Sequence, residues 1–515
     1  MTSDDKSSAR QAGRGGLAIA AAKLYFILVG LAQQIAFGRI LGLDGYGALS
    51  TALSTVSIFT NPITQASIQA ASREVAAAND ERGPFVQRRI LGYHVGVALV
   101  AGAVFLAAAP WLASWLGAPH ITFALCVLSS ILLIYGIYTP LVGVLNGRRR
   151  FLAQAGLDVT AATLRTVGLL LGAWLAVRGT LGARWDGSAG AALGFAVAAL
   201  PVLALAIGAA GTGRGGGSEP AARDYLRNLR ALWIGQFLLN VLFQADGLLL
   251  RRFAAQAAAA GGLPLSAADP FVGAYRAAQL FGFLPYQLLM SVTFVLFPLL
   301  ASARAAGEAK LVRDYVRAGV RLAVLLSGLL VAVLFAVPEG LIRLAYAPEA
   351  ARLGGDSLRV LGLGLGCLAV LGVMTSALNS LGGERESLRL TALALALVAG
   401  ACALLLRGQP LDANLLVRCA IATSAGLLLA TLACAYLLNQ RAGGVVPTLS
   451  LARAGLGFGL GVAAGLGLPG QGPIGTLLRA AAVAVVYLGV LVVSRELGAE
   501  DWARVRAMLG GRAAR

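Results

Sequence analysis

Charge is what this chain has least of. Only 13% of its 515 residues are Asp, Glu, Lys or Arg, against 58% hydrophobic. A soluble domain carries roughly 25% charged residues, so this chain has too few to coat an ordinary water-facing surface. Lysine is nearly absent: Lys6, Lys23 and Lys310 stand among 42 basic residues, and the rest are arginine. The five cysteines (Cys126, Cys367, Cys402, Cys419 and Cys434) form no CxxC pair, which argues against a disulfide framework and a zinc site. His94 and His120, the two histidines, have no cysteine or carboxylate cluster beside them in sequence, so neither a metal nor another cofactor is expected. There is no GxxxxGK[ST] motif and hence no fused ATPase. A DxD pair is missing too, and the longest outer loop, about 251–271, holds Asp269 as its one acidic residue. That argues against a membrane-embedded glycosyltransferase, polymerase or ligase, which needs carboxylates or histidines near the membrane face.

What the chain has in abundance is apolar runs of membrane-spanning length, roughly 20 residues each. They fall near 17–38, 46–68, 91–116, 121–145, 152–177, 188–210, 229–250, 272–298, 322–338, 359–381, 388–406, 415–438, 455–469 and 474–493. These runs are continuously apolar rather than alternating, so the expected fold class is all-α integral membrane with about 14 transmembrane helices. The first run is too long, and its Lys23 too central, for a cleaved signal peptide. Basic residues concentrate in alternate loops, as in Arg88–Arg89, Arg148–Arg150 and the set Arg304, Lys310, Arg313, Arg317 and Arg321. The positive-inside rule then places both termini in the cytoplasm and reads the +19 net charge as topology rather than nucleic-acid binding. Anionic headgroups are natural neighbours of such loops.

The Gly-rich stretch GTGRGGGSEP (211–220) reads as a linker, because it lacks the lysine and strand context of a phosphate loop. It divides the chain into a tail (1–16), a six-helix lobe (17–210), a linker (211–228), a second six-helix lobe (229–440), two further helices (441–493) and a C-terminal tail (494–515). GLGLG (362–366) and GLGFGLG (455–461) lie inside apolar runs, where small residues let helix backbones approach. Several segments recur across the linker. GYGALSTALS (45–54) echoes GAYRAAQLFG (273–282), and LNGRRRF (145–151) echoes LNSLGGERES (378–387). A duplicated six-helix unit predicts a substrate path at a pseudo-symmetric interface and alternating access by rocking of the halves.

Three segments carry a family resemblance: FGRILGLDGYG (37–47), FVGAYRAAQLFGFLPYQLLMSVTFVLFPLLAS (271–302) and ALNSLGGERES (377–387). In this order and spacing the chain resembles the polysaccharide-transporter, O-antigen flippase branch of the multidrug/oligosaccharidyl-lipid/polysaccharide (MOP) exporter superfamily, over about residues 15–440. The resemblance implies a V-shaped bundle of two lobes in the cytoplasmic membrane, flipping an undecaprenyl-diphosphate-linked oligosaccharide. As partners it implies the lipid-linked glycan, membrane lipids, a polysaccharide polymerase or glycosyltransferases, and a coupling ion. The alternatives are a lipid II flippase and a cation-coupled small-molecule exporter. Lipid II flippases usually carry an Arg-rich first-span motif and an ADAF-like stretch, and neither is present here.

Polar and charged residues inside spans are costly and so mark function. Helical phase puts Lys23, Gly30 and Gln34 on one face of the first span, and Thr51, Ser54, Asn61, Gln65 and Gln69 on one face of the second. Gln236, Asn240 and Gln244 form a stripe on the seventh, with Asp246 at its edge, while Arg276, Gln279 and Gln287 fall together on the eighth. The resemblance implies that these spans line a central cavity. A diphosphate is best held by cations in a partly desolvated site, which singles out Lys23 and Arg276, and sugar hydroxyls suit the amides. Asp246 is expected as a counter-ion, an ion-coupling site or a structural partner. Arg165 either compensates Asp158, seven residues away on the same face, or joins the cavity. Pro62 and Pro285 are candidate bends in cavity helices.

Overall fold

The computed structural model describes residues 3–78, 81–216, 220–443, 448–470 and 472–498, with the side chains of 3–20, 23, 291, 294, 295 and 298 outside the description. The described residues are all-helical, in the order α1 (Ser3–Ala77), α2 (Gly83–Trp115), α3 (Thr122–Gly147), α4 (Phe151–Val177), α5 (Gly187–Ala210), α6 (Ala222–Ala260) and α7 (Asp269–Gly282). There follow α8 (Leu284–Ala305), α9 (Ala309–Ala336), α10 (Pro338–Ala345), α11 (Pro348–Ser380), α12 (Glu384–Leu406), α13 (Ala413–Ala442), α14 (Thr448–Gly467) and α15 (Gly472–Val493).

Twelve of these helices are long and apolar enough to cross a membrane. Two features of the helix layout differ from the expected spans. The first two expected spans run together in α1, whose described apolar part, Leu24–Ala77, is 54 residues long. That is about 80 Å of helix, enough for two crossings of a core about 30 Å thick. The division falls at Gly42, where φ 68° and ψ −176° turn the chain without a separate loop. The expected eighth span, 272–298, is built as two helices, α7 and α8, which meet at Phe283. Pro285 has no N–H to continue the ladder, although Phe283 N and Gln287 N still donate to the carbonyls of Gln279 and Phe283. The run 455–469, short and glycine-rich in sequence, falls on α14 up to Gly467, and α14 is one of the twelve.

Two compact units emerge, Met1–Gly273 and Ala274–Arg515. The sequence reading put the lobe boundary at the 211–228 linker, but residues 222–228 already form the first turns of α6, and α6 packs along α1 in the first unit. The outer loop read as 251–271 is also shorter, because α6 continues to Ala260 and a 3-10 turn occupies Leu265–Ala268.

Close helix contacts follow the small residues. In the first unit a Cβ added to Gly172 would lie 2.1 Å from the Gly190 carbonyl oxygen, and one on Gly194 would lie 1.8 Å from that of Gly168. Glycines four apart on α4 and on α5 thus face each other, the close-approach geometry of membrane helix pairs. In the second unit GLGLG has the same role. Gly364 backs onto Ser424 of α13 and Gly366 onto Val331 and Ser327 of α9. Ser327 donates to the Gly366 carbonyl (3.0 Å) and Ser424 to that of Val360 (2.9 Å).

Basic loops also cap helices. Arg148 donates to the carbonyl of Ala210 (3.1 Å) and to Gln87 Oε1 (2.6 Å), and Arg150 donates to the carbonyl of Ala209 (2.7 Å). These arginines meet the negative end of the α5 dipole. At the far end of the second unit, Glu496 is buried just beyond α15 and ties three elements together. It accepts from Arg321 Nε of α9 (2.7 Å) and Arg453 Nη1 of α14 (2.8 Å). Burial alone would raise its pKa, but hydrogen bonds from Ser450, Arg453 and Arg321 outweigh it and leave the pKa lowered. A carboxylate with a depressed folded pKa contributes stability that is present above its unfolded pKa and lost as pH falls through the folded value. Thermal stability of the purified protein should therefore drop on acidification below the ordinary glutamate range, and that part of the drop should vanish in Glu496→Gln. An unchanged acid limb in the variant would show that the latch contributes nothing.

Candidate functional site

In the first unit two of the expected polar stripes meet. Asn61 of α1 donates through Nδ2 to Asn240 Oδ1 of α6 at 3.0 Å, and Asn240 Nδ2 in turn donates to the carbonyl of Gln236, one turn back, at 2.8 Å. Asn240 is buried, Gln236 half-buried, and Asn61 and Gln65 are exposed within the unit. A row of amides therefore runs across the two helices. Further along α6, Gln244 is half-buried and Asp246 is buried at 3% exposure, its Oδ1 accepting from the Gly247 backbone N–H at 2.8 Å. In the first half of α1, Gln34 Oε1 accepts from the Tyr46 hydroxyl (3.1 Å), which ties the face of Gln34 to the start of the next helical segment. Lys23 lies on α1, but its side chain is outside the described residues.

Arg165 has a different setting. Its guanidinium stacks over Phe195 of α5 at 5.0 Å, and its Nε is buried without a hydrogen-bond partner among the described residues. Next to it, Thr166 donates to Gln33 Oε1 of α1 at 2.9 Å, and Thr163 shares a 2.8 Å hydrogen bond with the Tyr25 hydroxyl. Sequence phase did not single out Gln33 or Tyr25. The pairs nevertheless form a polar seam between α1 and α4, and the Thr-x-x-Thr spacing on α4 was its legible signal.

In the second unit, Arg276 Nη1 donates to Gln279 Oε1 at 2.6 Å. The amide is three residues on, 2% exposed, and fixes the guanidinium on α7. Gln287, half-buried on α8, lies beyond the break at Phe283, so the single stripe expected over 276–287 is divided between two helices.

A charged cluster that sequence reasoning missed lies where α6 ends and α7 begins. Arg251, with 0% side-chain exposure, places Nε 3.2 Å from Asp269 Oδ1, and its Nη2 donates to the carbonyls of Gly117 (3.0 Å) and Leu265 (3.2 Å). His120 Nε2 stands 3.0 Å from Asp269 Oδ2. The Asp269 carbonyl oxygen packs so tightly on α1 that a Cβ at Gly47 would lie 1.9 Å from it, while a Cβ at Gly273 would lie 2.3 Å from the Leu43 carbonyl oxygen. The segments GYGALSTALS and GAYRAAQLFG, which echo each other in sequence, thus touch at their glycines. His94 is buried in a chain of its own, 3.4 Å from Ser67 Oγ and 2.8 Å from the Tyr225 hydroxyl.

The model of a family described as "Polysaccharide biosynthesis protein" matches residues 12–304. No curated protein sequence matches the chain. Among solved structures, a lipid II flippase MurJ in an inward closed conformation is similar, with a TM-score of 0.74 at 12% identity over 93% of this chain and 99% of that one. The Vibrio cholerae MATE transporter VcmN gives a TM-score of 0.58 at 18% identity, covering 86% and 98% of the two chains. An inward-facing multidrug resistance MATE transporter of the MOP superfamily gives 0.63 at 16%, covering 81% and 94%. At these identities the likeness is one of fold.

Proposed function

Because this multi-pass membrane protein belongs to the polysaccharide biosynthesis protein family, we propose that it is a flippase for undecaprenyl-diphosphate-linked oligosaccharide, working by alternating access. The observation that carries this reading is the amide row Gln236, Asn240 and Asn61, with Gln65 beside it. Neutral amides in an apolar setting match sugar hydroxyls, whereas an exporter of cations would favour carboxylates, and on these stripes Asp246 stands alone. Arg276, steadied by Gln279, is proposed as a contact for the diphosphate, with Lys23 as a second. The setting is the cytoplasmic membrane, with both termini on the cytoplasmic side, as the basic loops argue.

Vesicles containing the purified protein test the reading. Lipid-linked oligosaccharide loaded on one leaflet should reach the other at a protein-dependent rate, and Asn61→Leu/Asn240→Leu should reduce that rate at least ten-fold at equal incorporation. A reporter fused within 148–150 should read as cytoplasmic in cells. Vesicles that extrude a cationic dye but leave the glycan lipid in place would replace the flippase by the small-molecule exporter, for which Asp246 is the residue to test.

A further inference from the structure

A cavity of about 900 Å³ in the first unit is a groove open along one side of α2. Its lining follows one face of α2 from Gly92 to Leu112 and is closed near one end by Phe59, Ile63 and Ser67 of α1 and by Leu226 to Trp233 of α6. At the glycine end Arg230 is the single charged residue of the lining. α2 packs along α3 and meets the start of α6 where Tyr93 and His94 touch Tyr225, and beyond that contact the gap is concave rather than the convex surface a helix ordinarily turns to lipid. Gly92 and Gly96 line it, and a Cβ at either would meet nothing within 4 Å.

An apolar gap of this size does not fill with water, and within a membrane its occupant is hydrocarbon. Length decides which kind. From Gly92 to Leu112 the groove runs about 30 Å at about 1.5 Å per residue, the whole hydrocarbon thickness of a bilayer. A phospholipid acyl chain belongs to one leaflet and covers about half of that. We propose that the groove holds the long isoprenoid tail of a lipid whose phosphate end lies towards Arg230. Two features join it to the amide row. Of the lining residues, Trp233 stacks on Phe237 at a centroid distance of 4.6 Å, and Phe59 lies tilted against the same ring at 6.0 Å. Phe237 follows Gln236, and Phe59 is two residues from Asn61. An amphiphile with a sugar head and a very long tail needs such a polar strip beside an apolar channel. The inference deepens the flippase reading and rests on it for the identity of the tail.

The groove can be plugged without disturbing the helix. In Gly92→Leu/Gly96→Leu the new side chains enter space that is empty of protein. The probe is undecaprenyl phosphate, which carries no glycan, and binding to the detergent-purified full chain is followed by native mass spectrometry against dioleoyl phosphatidylglycerol. The wild-type protein should retain undecaprenyl phosphate in preference to the phospholipid, the plugged variant should bind it at least ten-fold more weakly, and Arg230→Gln should weaken it by a smaller factor. A photoreactive p-benzoylphenylalanine at Val104, 62% exposed in the lining, should crosslink to the probe in an otherwise unplugged chain, which keeps the test valid if the leucine variant folds poorly. Undiminished binding to a well-folded plugged variant would overturn the proposal. So would equal displacement by phosphatidylglycerol, or no crosslink at Val104. Failure of glycan transport with intact tail binding would instead remove the flippase reading and leave the groove.

Discussion

Asp269→Ala should sharply reduce the stability of the detergent-extracted protein. The carboxylate faces Arg251, whose side chain is fully buried, and no solvent can take over the charge when the partner is removed. Breaking a buried pair by deleting one member costs about 3–5 kcal/mol, because the remaining ion is left desolvated without its counter-charge. The carbonyl bonds from Arg251 Nη2 to Gly117 and Leu265 would persist, but they do not neutralise it. Asp269→Asn should cost nearly as much, since shape survives and charge does not. Arg251→Met/Asp269→Leu removes both ions at similar volume and should recover much of the loss. Thermal unfolding followed by size-exclusion recovery measures all three. A single-alanine variant as stable as the parent, or a double variant worse than either single, would mean that the contact is not a coupled ion pair.

The spans were readable because burial in lipid demands long apolar runs, and the amide stripes because a 3.6-residue period needs no tertiary information. The Asn61–Asn240 contact shows both the reach and the limit of that reasoning. Phase placed each residue on a polar face, but only the fold brings helices 179 residues apart in sequence to 3.0 Å. Gly42 lies within the motif 37–47, yet nothing in its neighbours distinguishes a glycine that ends one crossing from those that let helices pack. The Arg251–Asp269 pair was hidden for a different reason. An arginine at the end of a span ordinarily snorkels to water, so its complete burial depends on the 3-10 turn at Leu265–Ala268 and on the tight seat of Asp269 against Gly47. Arg165 shows a third case. Spacing offers Asp158 or the cavity as its setting, and the ring it also stacks on, Phe195, belongs to a helix that phase arguments on α4 cannot see.

Charge should outweigh shape at Arg276. If its guanidinium holds a substrate diphosphate, Arg276→Gln should lose most translocation while Arg276→Lys retains part of it, because lysine keeps the charge and gives up the planar fork. Losing a charged contact in a partly desolvated site costs on the order of 2–5 kcal/mol, which is roughly 30-fold or more in affinity. Gln279 supplies a second, graded test. Its amide fixes Arg276 at 2.6 Å from a position that is 2% exposed, so Gln279→Leu should leave the charge in place but free the side chain. The expected signature is weaker apparent affinity for the lipid-linked glycan with the maximal rate largely kept, the opposite of what loss of a moving part would give. Lys23→Gln should resemble Arg276→Gln if both cations hold the diphosphate, and Lys23→Arg should be mild. The readout is appearance of the glycan lipid at the opposite leaflet of vesicles with matched protein incorporation. Full transport by Arg276→Gln would assign the arginine to local contacts such as its bond with Gln279, and the diphosphate contact would have to be sought elsewhere.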